Sequence, residues 1–263
     1  MDQEKYKQLC DLFRQYGRVA VCLSGGSGSA LVAKLAVDTL GKDQVIGITA
    51  STPFLTGEEM QVSERLCEHL GIRLLAPGVP LLSVEAIISN PEDRCYYCKK
   101  ITYAYMRKMA SECGIRDVLD GSTWAGDENR PYSAKAIGES GIVSPLKLVP
   151  MNKEEVFEAL HELGMDRFIR PQNDCLATRI LPGAAITVKK LRWIRAAENY
   201  LRRKGFDRVR VVMKDTEATI QVEKELIPYL REMQEEVFSE LRGMYYEKVS
   251  IDPEGYPYKD SFR

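Results

Sequence analysis

RVAVCLSGGSGSALVAKLAVDTLG, residues 18–41, joins a strand pattern to a helix pattern through a glycine-rich turn. Its first part, RVAVCLS (18–24), is a short apolar and β-branched run typical of a strand covered on both faces. Gly25 and Gly26 then turn the chain into SALVAKLAVDTLG (29–41), which has a helical pattern. Glycines let backbone N–H groups approach an anion closely, and the N-terminus of a helix favours negative charge. The turn is therefore predicted to bind phosphate.

The same alternation of strand and helix patterns continues to about residue 150. Strand-like runs at 44–50, 72–77 and 116–121 alternate with helix patterns at 58–71 and 96–114, and a further helix pattern follows at 152–164. Strands separated by helices of this length predict βαβ units and a parallel sheet. The chain up to residue 180 is therefore predicted to form an α/β domain.

The rest of the chain has a different pattern. Residues 165–186 show no clear period and contain two prolines, which is typical of a linking segment, and linking segments often carry function. Beyond it the order is helix, two strands, helix and strand, at 187–205, 207–214, 217–223, 224–242 and 245–252. This order predicts a small α+β domain at 181–263.

Composition narrows the class of protein. The 263 residues carry a formal net charge of −1, which argues against a strongly basic nucleic-acid surface. No apolar run approaches the roughly 20 residues that span a bilayer. The charged start MDQEKYKQLCDLFRQYGR (1–18) resembles a helix rather than a secretory signal, so we expect a cytoplasmic location and no membrane partner.

Seven cysteines in a chain without an export signal are not expected to form a disulfide framework. Four of them fall within apolar helix or strand patterns and are interpreted as small buried hydrophobic residues, namely Cys10, Cys22, Cys67 and Cys113.

The pair Cys95 and Cys98 lies in RCYYCKK (94–100), at the start of a predicted helix. A thioredoxin-type redox pair would follow the first strand of its fold, which this pair does not. Zinc normally takes four Cys or His ligands, and the only histidines, His69 and His161, lie on amphipathic helix patterns. An iron–sulfur cluster needs thiolates, and a third is available from Cys175 in the irregular segment. The spacing alone leaves these three readings open.

The glycine turn lacks the Gly-Lys-Ser/Thr of an ATPase P-loop and does not match G-x-G-x-x-G. It resembles the SGG-x-D-S signature of PP-loop pyrophosphatases, which cleave ATP to AMP and pyrophosphate while activating a substrate as its adenylate. Ser24, Gly25, Gly26 and Ser29 match this signature, but Gly28 stands in place of its aspartate. In that family the carboxylate is tied to the Mg²⁺–pyrophosphate end of ATP, so the adenylation step is the one that this departure affects.

A closer resemblance covers nearly the whole chain. The glycine turn, PEDRCYYCKK (91–100), VLDGS (118–122), DCLATRILPG (174–183) and AAENYLRRKGFDRVRV (196–211) together resemble the LarE family of sulfur-insertion enzymes. That family makes the nickel-pincer nucleotide cofactor by adenylating a carboxylate of a pyridinium mononucleotide and delivering sulfur to it. One branch sacrifices the sulfur of a single cysteine. Another holds a [4Fe–4S] cluster on three cysteines.

The resemblance implies a set of site residues. The cluster ligands would be Cys95, Cys98 and Cys175. The catalytic residues would be Cys175 and Glu198. ATP and the substrate phosphates would be bound by Ser24, Gly25, Gly26, Ser27, Ser29, Lys99, Gly121, Arg179 and Arg210.

It also implies a PP-loop nucleotide-binding domain at 1–180, with the site between it and the domain at 181–263. The expected cofactors and partners are ATP, Mg²⁺, a [4Fe–4S] cluster, a mononucleotide-like substrate, sulfide or another sulfur donor, and a homo-oligomer.

Three departures from the family pattern fall on ATP chemistry and the substrate phosphate. They are Gly28, Val212 in place of the second arginine of an R-x-R pair that starts at Arg210, and the altered loop GDENRPY (126–132), which retains Arg130 and Pro131. Three hypotheses follow: an active sulfur transferase with an altered substrate, a cluster-bearing paralogue that does not adenylate, and a non-catalytic nucleotide-binding module.

Overall fold

The structure, a computed structural model, describes residues 2–124, 131–170 and 174–256. Of the altered loop at 126–132, only Pro131 and Tyr132 belong to these residues, and Arg130 lies outside them. Within the described parts of the chain, no helix combines the length and the apolar character that crossing a membrane requires.

The helices and strands, in chain order, are α1 (Gln3–Tyr16), β1 (Val19–Cys22), α2 (Ser27–Leu40), β2 (Val45–Ile48), α3 (Glu58–Leu70), β3 (Arg73–Leu75), α4 (Glu85–Ile88), α5 (Arg94–Glu112), β4 (Asp117–Leu119), α6 (Pro131–Ser140), α7 (Pro145–Leu148), α8 (Lys153–Glu162), α9 (Val188–Arg203), β5 (Val209–Lys214), β6 (Glu217–Val222), α10 (Ile227–Glu232), α11 (Gln234–Gly243) and β7 (Lys248–Ile251). They form two compact units, Met1–Leu81 with Asp93–Gln172, and Leu82–Glu92 with Asn173–Arg263. The predicted division at residues 180 and 181 stays a prediction.

The first unit contains a four-stranded sheet in the order β3-β2-β1-β4, and every pairing in it is parallel. In the register of the central strand, Val19 lies between Val45 and Asp117. All four residues of β1 are buried, because helices cover the sheet and leave no solvated side for the continuous apolar run. The predicted parallel α/β architecture is confirmed.

The glycine turn lies at the carboxyl end of β1, where α2 begins. In open parallel sheets, ligands bind outside the carboxyl ends of the strands. The core beneath the turn is apolar, with Leu31 and Leu35 of α2 fully buried beside Val21. The sheet therefore holds the turn at a fixed edge of the first unit.

The second unit contains a smaller mixed sheet in the order β5-β6-β7. The β5–β6 pair is antiparallel and the β6–β7 pair is parallel, which confirms the predicted α+β character. The single helix predicted at 224–242 is wrong, because α10 and α11 are separate and meet at Met233. Pro228 explains the late start, since proline is accommodated in the first turn of a helix and α10 begins at Ile227. No proline or glycine marks the break at Met233.

Helix α8 begins at Lys153, within the helix pattern predicted at 152–164, and Asn152 is its N-cap. The Asn152 side chain accepts a hydrogen bond from the Glu155 backbone N–H at 2.8 Å, and the Glu155 carboxylate accepts one from the Asn152 N–H at 2.8 Å. This reciprocal pair is a capping box, which satisfies two N–H groups that the helix leaves open. Helices α6 and α7 were not predicted from the sequence.

Candidate functional site

The glycine turn, Ser24 to Ser29, leads from β1 into α2 and presents open backbone groups. Gly25 has a φ of 72°, a left-handed conformation that favours glycine, and a Cβ there would lie 2.8 Å from the Glu59 Cα. Gly26 precedes α2, and no side chain caps the N-terminus of that helix. The first N–H groups of an α-helix have no partner within it. The turn therefore presents donors suited to a phosphate group.

The serines of the turn have different positions. Ser27 is buried, and its hydroxyl accepts a hydrogen bond from the Arg170 N–H at 2.8 Å. Ser29 is also buried and donates to the Gly26 carbonyl at 2.9 Å. Ser24 is exposed. The two buried hydroxyls therefore hold the turn in shape, and Ser24 is the serine open to a ligand.

Gly28 and Gly121 bring two backbone segments into direct contact. A Cβ built on Gly28 would lie 2.2 Å from the Gly121 carbonyl oxygen. A Cβ on Gly121 would lie 2.1 Å from the Ser29 backbone nitrogen. Real Cβ atoms essentially never come so close to backbone atoms, so each position requires glycine. Gly28, which stands where the PP-loop signature has aspartate, is therefore so close to the Gly121 backbone that an aspartate side chain has no room.

A polar cluster lies beside this contact, where β4 ends. Asp120 is buried and accepts hydrogen bonds from the Tyr103 hydroxyl at 2.9 Å and the Ser122 hydroxyl at 2.7 Å. The Lys99 ammonium lies 3.4 Å from the Tyr103 oxygen and 4.9 Å from the centre of its ring. Burial, together with the nearby Asp120 charge, raises the pKa of Tyr103 well above its usual value, so its hydroxyl stays a donor.

This cluster gives Lys99, a predicted site residue, a defined position in the first unit. Sequence reasoning missed Tyr103 and Asp120. The available signal was an acidic residue directly after an apolar strand, in VLDGS (118–122), because polar residues at that edge of a sheet often face a ligand.

Cys95 and Cys98 are the second and fifth residues of α5, and both are partly exposed. Residues at this spacing are neighbours on one face of a helix. The adjacent Arg94 is buried, and its guanidinium Nη2 lies 3.7 Å from the Cys95 sulfur. Two accessible thiols on one face of a helix are the kind of donor group that a thiolate-bound metal centre uses.

Among residues 2–124, 131–170 and 174–256, no three or more His, Cys, Asp or Glu side chains form a group that could hold a metal ion. The three-cysteine ligand set therefore stays a prediction.

The other cysteines agree with the sequence interpretation except at one position. Cys10, Cys22 and Cys67 are buried, and burial raises the pKa of Cys67 to about 12. Burial also raises the pKa of Cys22, so both groups remain neutral thiols. Cys113 is partly exposed, because it lies just beyond the C-terminal end of α5. The interpretation of Cys113 as buried is wrong.

Neither histidine is part of a metal-ligand group in the described residues. His161 is exposed beside Asp166, whose carboxylate raises the pKa of that histidine. The ring of His69 lies 5.7 Å from that of Phe168.

In the second unit, Cys175 lies directly before the 3₁₀ turn Leu176–Arg179 and is partly exposed. Its carbonyl oxygen accepts hydrogen bonds from the Thr178 N–H at 3.0 Å and the Thr178 hydroxyl at 2.8 Å. It also accepts one from Arg179 Nη1 at 3.2 Å. The backbone of this cysteine is thus fixed by its neighbours while its side chain reaches the surface.

Arg179 and Glu198 form a buried ion pair with an Nε–Oε1 distance of 2.9 Å and side-chain exposures of 0% and 1%. Glu198 also accepts from the Val211 N–H and from Arg202 Nη2, each at 3.2 Å. Burial by itself lowers the pKa of Arg179, but its neighbours, the Glu198 carboxylate foremost, together raise it by more, and the net pKa is raised. The guanidinium therefore stays charged.

Arg210, on β5, is buried as well. Its guanidinium Nη1 lies 3.6 Å from the Asp174 carboxylate, and its Nη2 lies 3.4 Å from both the carbonyl and the hydroxyl oxygens of Thr178. The structure thus brings four predicted site residues together in one cluster of the second unit, namely Cys175, Arg179, Glu198 and Arg210.

Asn90 is a further residue that sequence reasoning missed. It is fully buried with a left-handed φ of 56°, and its amide nitrogen donates to the carbonyls of Ile180, Leu181 and Ala184 at 3.2, 2.7 and 3.0 Å. It therefore fixes the course of the chain just after Arg179. Asparagine before a proline predicts a turn. The carbonyl groups that Asn90 contacts are distant in the chain and cannot be inferred from the sequence around it.

Comparisons with known proteins give a match to the part of the chain that contains the glycine turn. A family model described as NAD synthase matches residues 8–90, which include β1, the glycine turn and α2. The chain is 37% identical over 57 residues to a glutamine-dependent NAD(+) synthetase of Synechocystis, covering 22% of this chain and 10% of that protein.

Two longer matches span most of the chain. An uncharacterized protein of Synechocystis is 33% identical over 260 residues, covering 97% of this chain and 96% of that protein. The pyridinium-3,5-bisthiocarboxylic acid mononucleotide synthase of Lactiplantibacillus plantarum is 32% identical over 241 residues, covering 91% of this chain and 87% of that protein.

Proposed function

Because the chain belongs to the family of pyridinium-3,5-bisthiocarboxylic acid mononucleotide synthases, the LarE family of the PP-loop superfamily, we propose that it is an ATP-dependent sulfur transferase. Its substrate would be a carboxylate on a mononucleotide, as in nickel-pincer cofactor synthesis. The observation that carries the proposal is the similarity over 91% of the chain to an enzyme of that name.

The glycine turn supports a role in ATP binding. The N–H groups at the start of α2 and the exposed Ser24 hydroxyl suit the phosphates of ATP. Lys99, which contacts the Tyr103 hydroxyl that donates to Asp120, would add positive charge in the same unit. Mg²⁺ would neutralise charge on the departing pyrophosphate.

The chemistry has two steps. The substrate carboxylate attacks the α-phosphorus of ATP, and the bond to pyrophosphate breaks, giving an acyl-adenylate. A sulfide then forms a C–S bond at the acyl carbon, and the C–O bond to AMP breaks, so AMP leaves with the electron pair. The protein contributes by holding the nucleophile and the acyl carbon together, which replaces an encounter in solution.

Cys95, Cys98 and Cys175 would hold a [4Fe–4S] cluster. Thiolates are its normal ligands, and all three side chains are partly exposed. When bound, the cluster would supply the sulfur as a sulfide on the iron that lacks a protein ligand. The catalytic contribution of Glu198 and the homo-oligomer stay predictions.

One observation favours a second candidate function, a cluster-bearing paralogue that does not adenylate. The Gly121 carbonyl oxygen lies where a side chain on residue 28 would start, so the carboxylate of the PP-loop signature has no place in this turn. Such a paralogue would act in desulfuration or another sulfur transfer and would need no ATP. A nucleotide-binding module without catalysis is the remaining alternative.

The test is an anaerobic reaction of the iron- and sulfide-loaded protein with a pyridinium carboxylate mononucleotide, ATP, Mg²⁺ and sulfide. We expect mass spectrometry to detect the thiocarboxylate only when ATP is present, with one pyrophosphate released for each sulfur inserted. Sulfur transfer at the same rate without ATP, or without pyrophosphate, would favour the paralogue. ATP binding with neither product would exclude the adenylating sulfur transferase. A sulfide-dependent spectral change would then favour the cluster-bearing paralogue, and its absence the nucleotide-binding module.

A further inference from the structure

The proposed function assigns a role to the thiol of Cys175 and leaves open how this side chain is held in place. Its backbone belongs to the short segment 174–179, which includes a single 3₁₀ turn, Leu176–Arg179. Such a turn has few internal hydrogen bonds, and it is not a strand or an α-helix that would fix its own course. Side-chain contacts that tie the turn to the rest of the unit must therefore fix it.

Arg179 provides the first of these contacts. Its Nη1 donates to the Asp174 carbonyl at 2.5 Å and to the Cys175 carbonyl at 3.2 Å. The same guanidinium donates through Nε to Glu198, whose carboxylate also accepts the Val211 N–H of β5. The guanidinium thus links the segment to α9 and to the sheet.

Arg210 provides the second contact, from β5. It reaches the Asp174 carboxylate and both oxygens of Thr178. The two arginines therefore hold the segment at residues before and after Cys175. Hydrogen bonds to charged groups contribute more than neutral ones, and burial shields these from water.

Arg179 is poorly suited to bind a ligand's phosphate directly. Its side chain has 0% exposure, and Nε and Nη1 already donate to protein oxygens. A phosphate would have to displace the segment or separate a buried ion pair, and an uncompensated buried charge is costly.

We propose that Arg179, Glu198 and Arg210 are positioning residues that fix the backbone of residues 174–179 and thereby the place of the Cys175 thiol. For Arg179 this role takes the place of the phosphate contact expected from the resemblance. The role of Cys175 in sulfur transfer rests on the proposed function. The contacts that fix its backbone do not depend on that function.

The test compares Arg179→Gln with two control variants of the same unit. Val249→Ala truncates a buried residue of β7 and destabilises the unit without touching the segment. Arg202→Gln removes the donor at the other oxygen of Glu198. Alkylation of Cys175 by iodoacetamide and hydrogen exchange of a peptide spanning 174–181 are measured on the metal-free protein by mass spectrometry.

For Arg179→Gln we expect both rates to rise roughly tenfold to a hundredfold, the range that the loss of charged hydrogen bonds predicts. Exchange in β6 and β7 should stay unchanged. Rates within about twofold of wild type, or a rise equal to that of Val249→Ala, would overturn the proposal. Arg202→Gln should produce a smaller change than Arg179→Gln, and an equal change would also count against it.

Should Arg179→Gln fail to fold, Arg179→Lys serves in its place. Lysine keeps the charge opposite Glu198 but cannot donate from two nitrogens in the fixed geometry of a guanidinium. It should show the same local rise in rates. Because neither readout uses ATP or iron, a protein without sulfur-transfer activity can still confirm or refute the positioning role.

Discussion

Replacement of Gly28 by alanine is expected to lower the free energy of unfolding by about 3 kcal/mol or more. The added Cβ would lie 2.2 Å from the Gly121 carbonyl oxygen, and this neighbour is backbone rather than a side chain that could rotate away. To remove this steric overlap, α2 or the chain after β4 would have to shift. Both adjoin the tightly packed central strand β1. Urea unfolding followed by circular dichroism measures the loss.

Gly26→Ala is the matched control in the same turn. Its Cβ would lie 3.4 Å from the Ser24 hydroxyl, an ordinary contact with a mobile group, so the stability should change little. Gly28→Asp should lose at least as much stability as Gly28→Ala and should not create a metal site. A Gly28→Ala protein as stable as Gly26→Ala would show that the two backbone segments are not in contact.

Replacement of Cys175 by alanine is expected to reduce sulfur transfer roughly a thousandfold or more, because it removes the thiol itself. Its effect on folding should be small, since the side chain is partly exposed. Pyrophosphate release should persist, because the glycine turn belongs to the first unit and is unchanged. Thiocarboxylate formation and pyrophosphate release are measured in the same reaction.

Cys113→Ala is the control, a partly exposed cysteine beyond the far end of α5 from Cys95. Its rate of sulfur transfer should equal that of wild type within about twofold. A Cys175→Ala protein with undiminished transfer would remove this residue from the mechanism.

The strand-turn-helix at 18–41 could be predicted because its signals are local. A continuous apolar run, a pair of glycines and a helical period lie next to one another, and each depends on its own residues. The parallel sheet followed from repetition of the same pattern. The start of the helix pattern at residue 152 was equally local, whereas the reciprocal bond from Glu155 is a finding of the structure.

The contact between Gly28 and Gly121 could not be predicted in this way. The two residues are far apart in the sequence, and their approach depends on how β4 packs beside β1. The burial of Arg179 was also hidden, since in a chain with 37 Lys and Arg residues a basic side chain is usually solvated. Its partner Glu198 lies on an amphipathic helix where most charges face water.

The most direct test of the central claim, a sulfur transferase with a three-cysteine cluster, is anaerobic iron–sulfide reconstitution followed by iron counting. The wild type and Cys113→Ala should bind about four iron atoms per chain. Cys95→Ala, Cys98→Ala and Cys175→Ala should each lose most of this iron. A wild-type protein that binds no iron, or a Cys175→Ala protein that binds as much as wild type, would contradict the account.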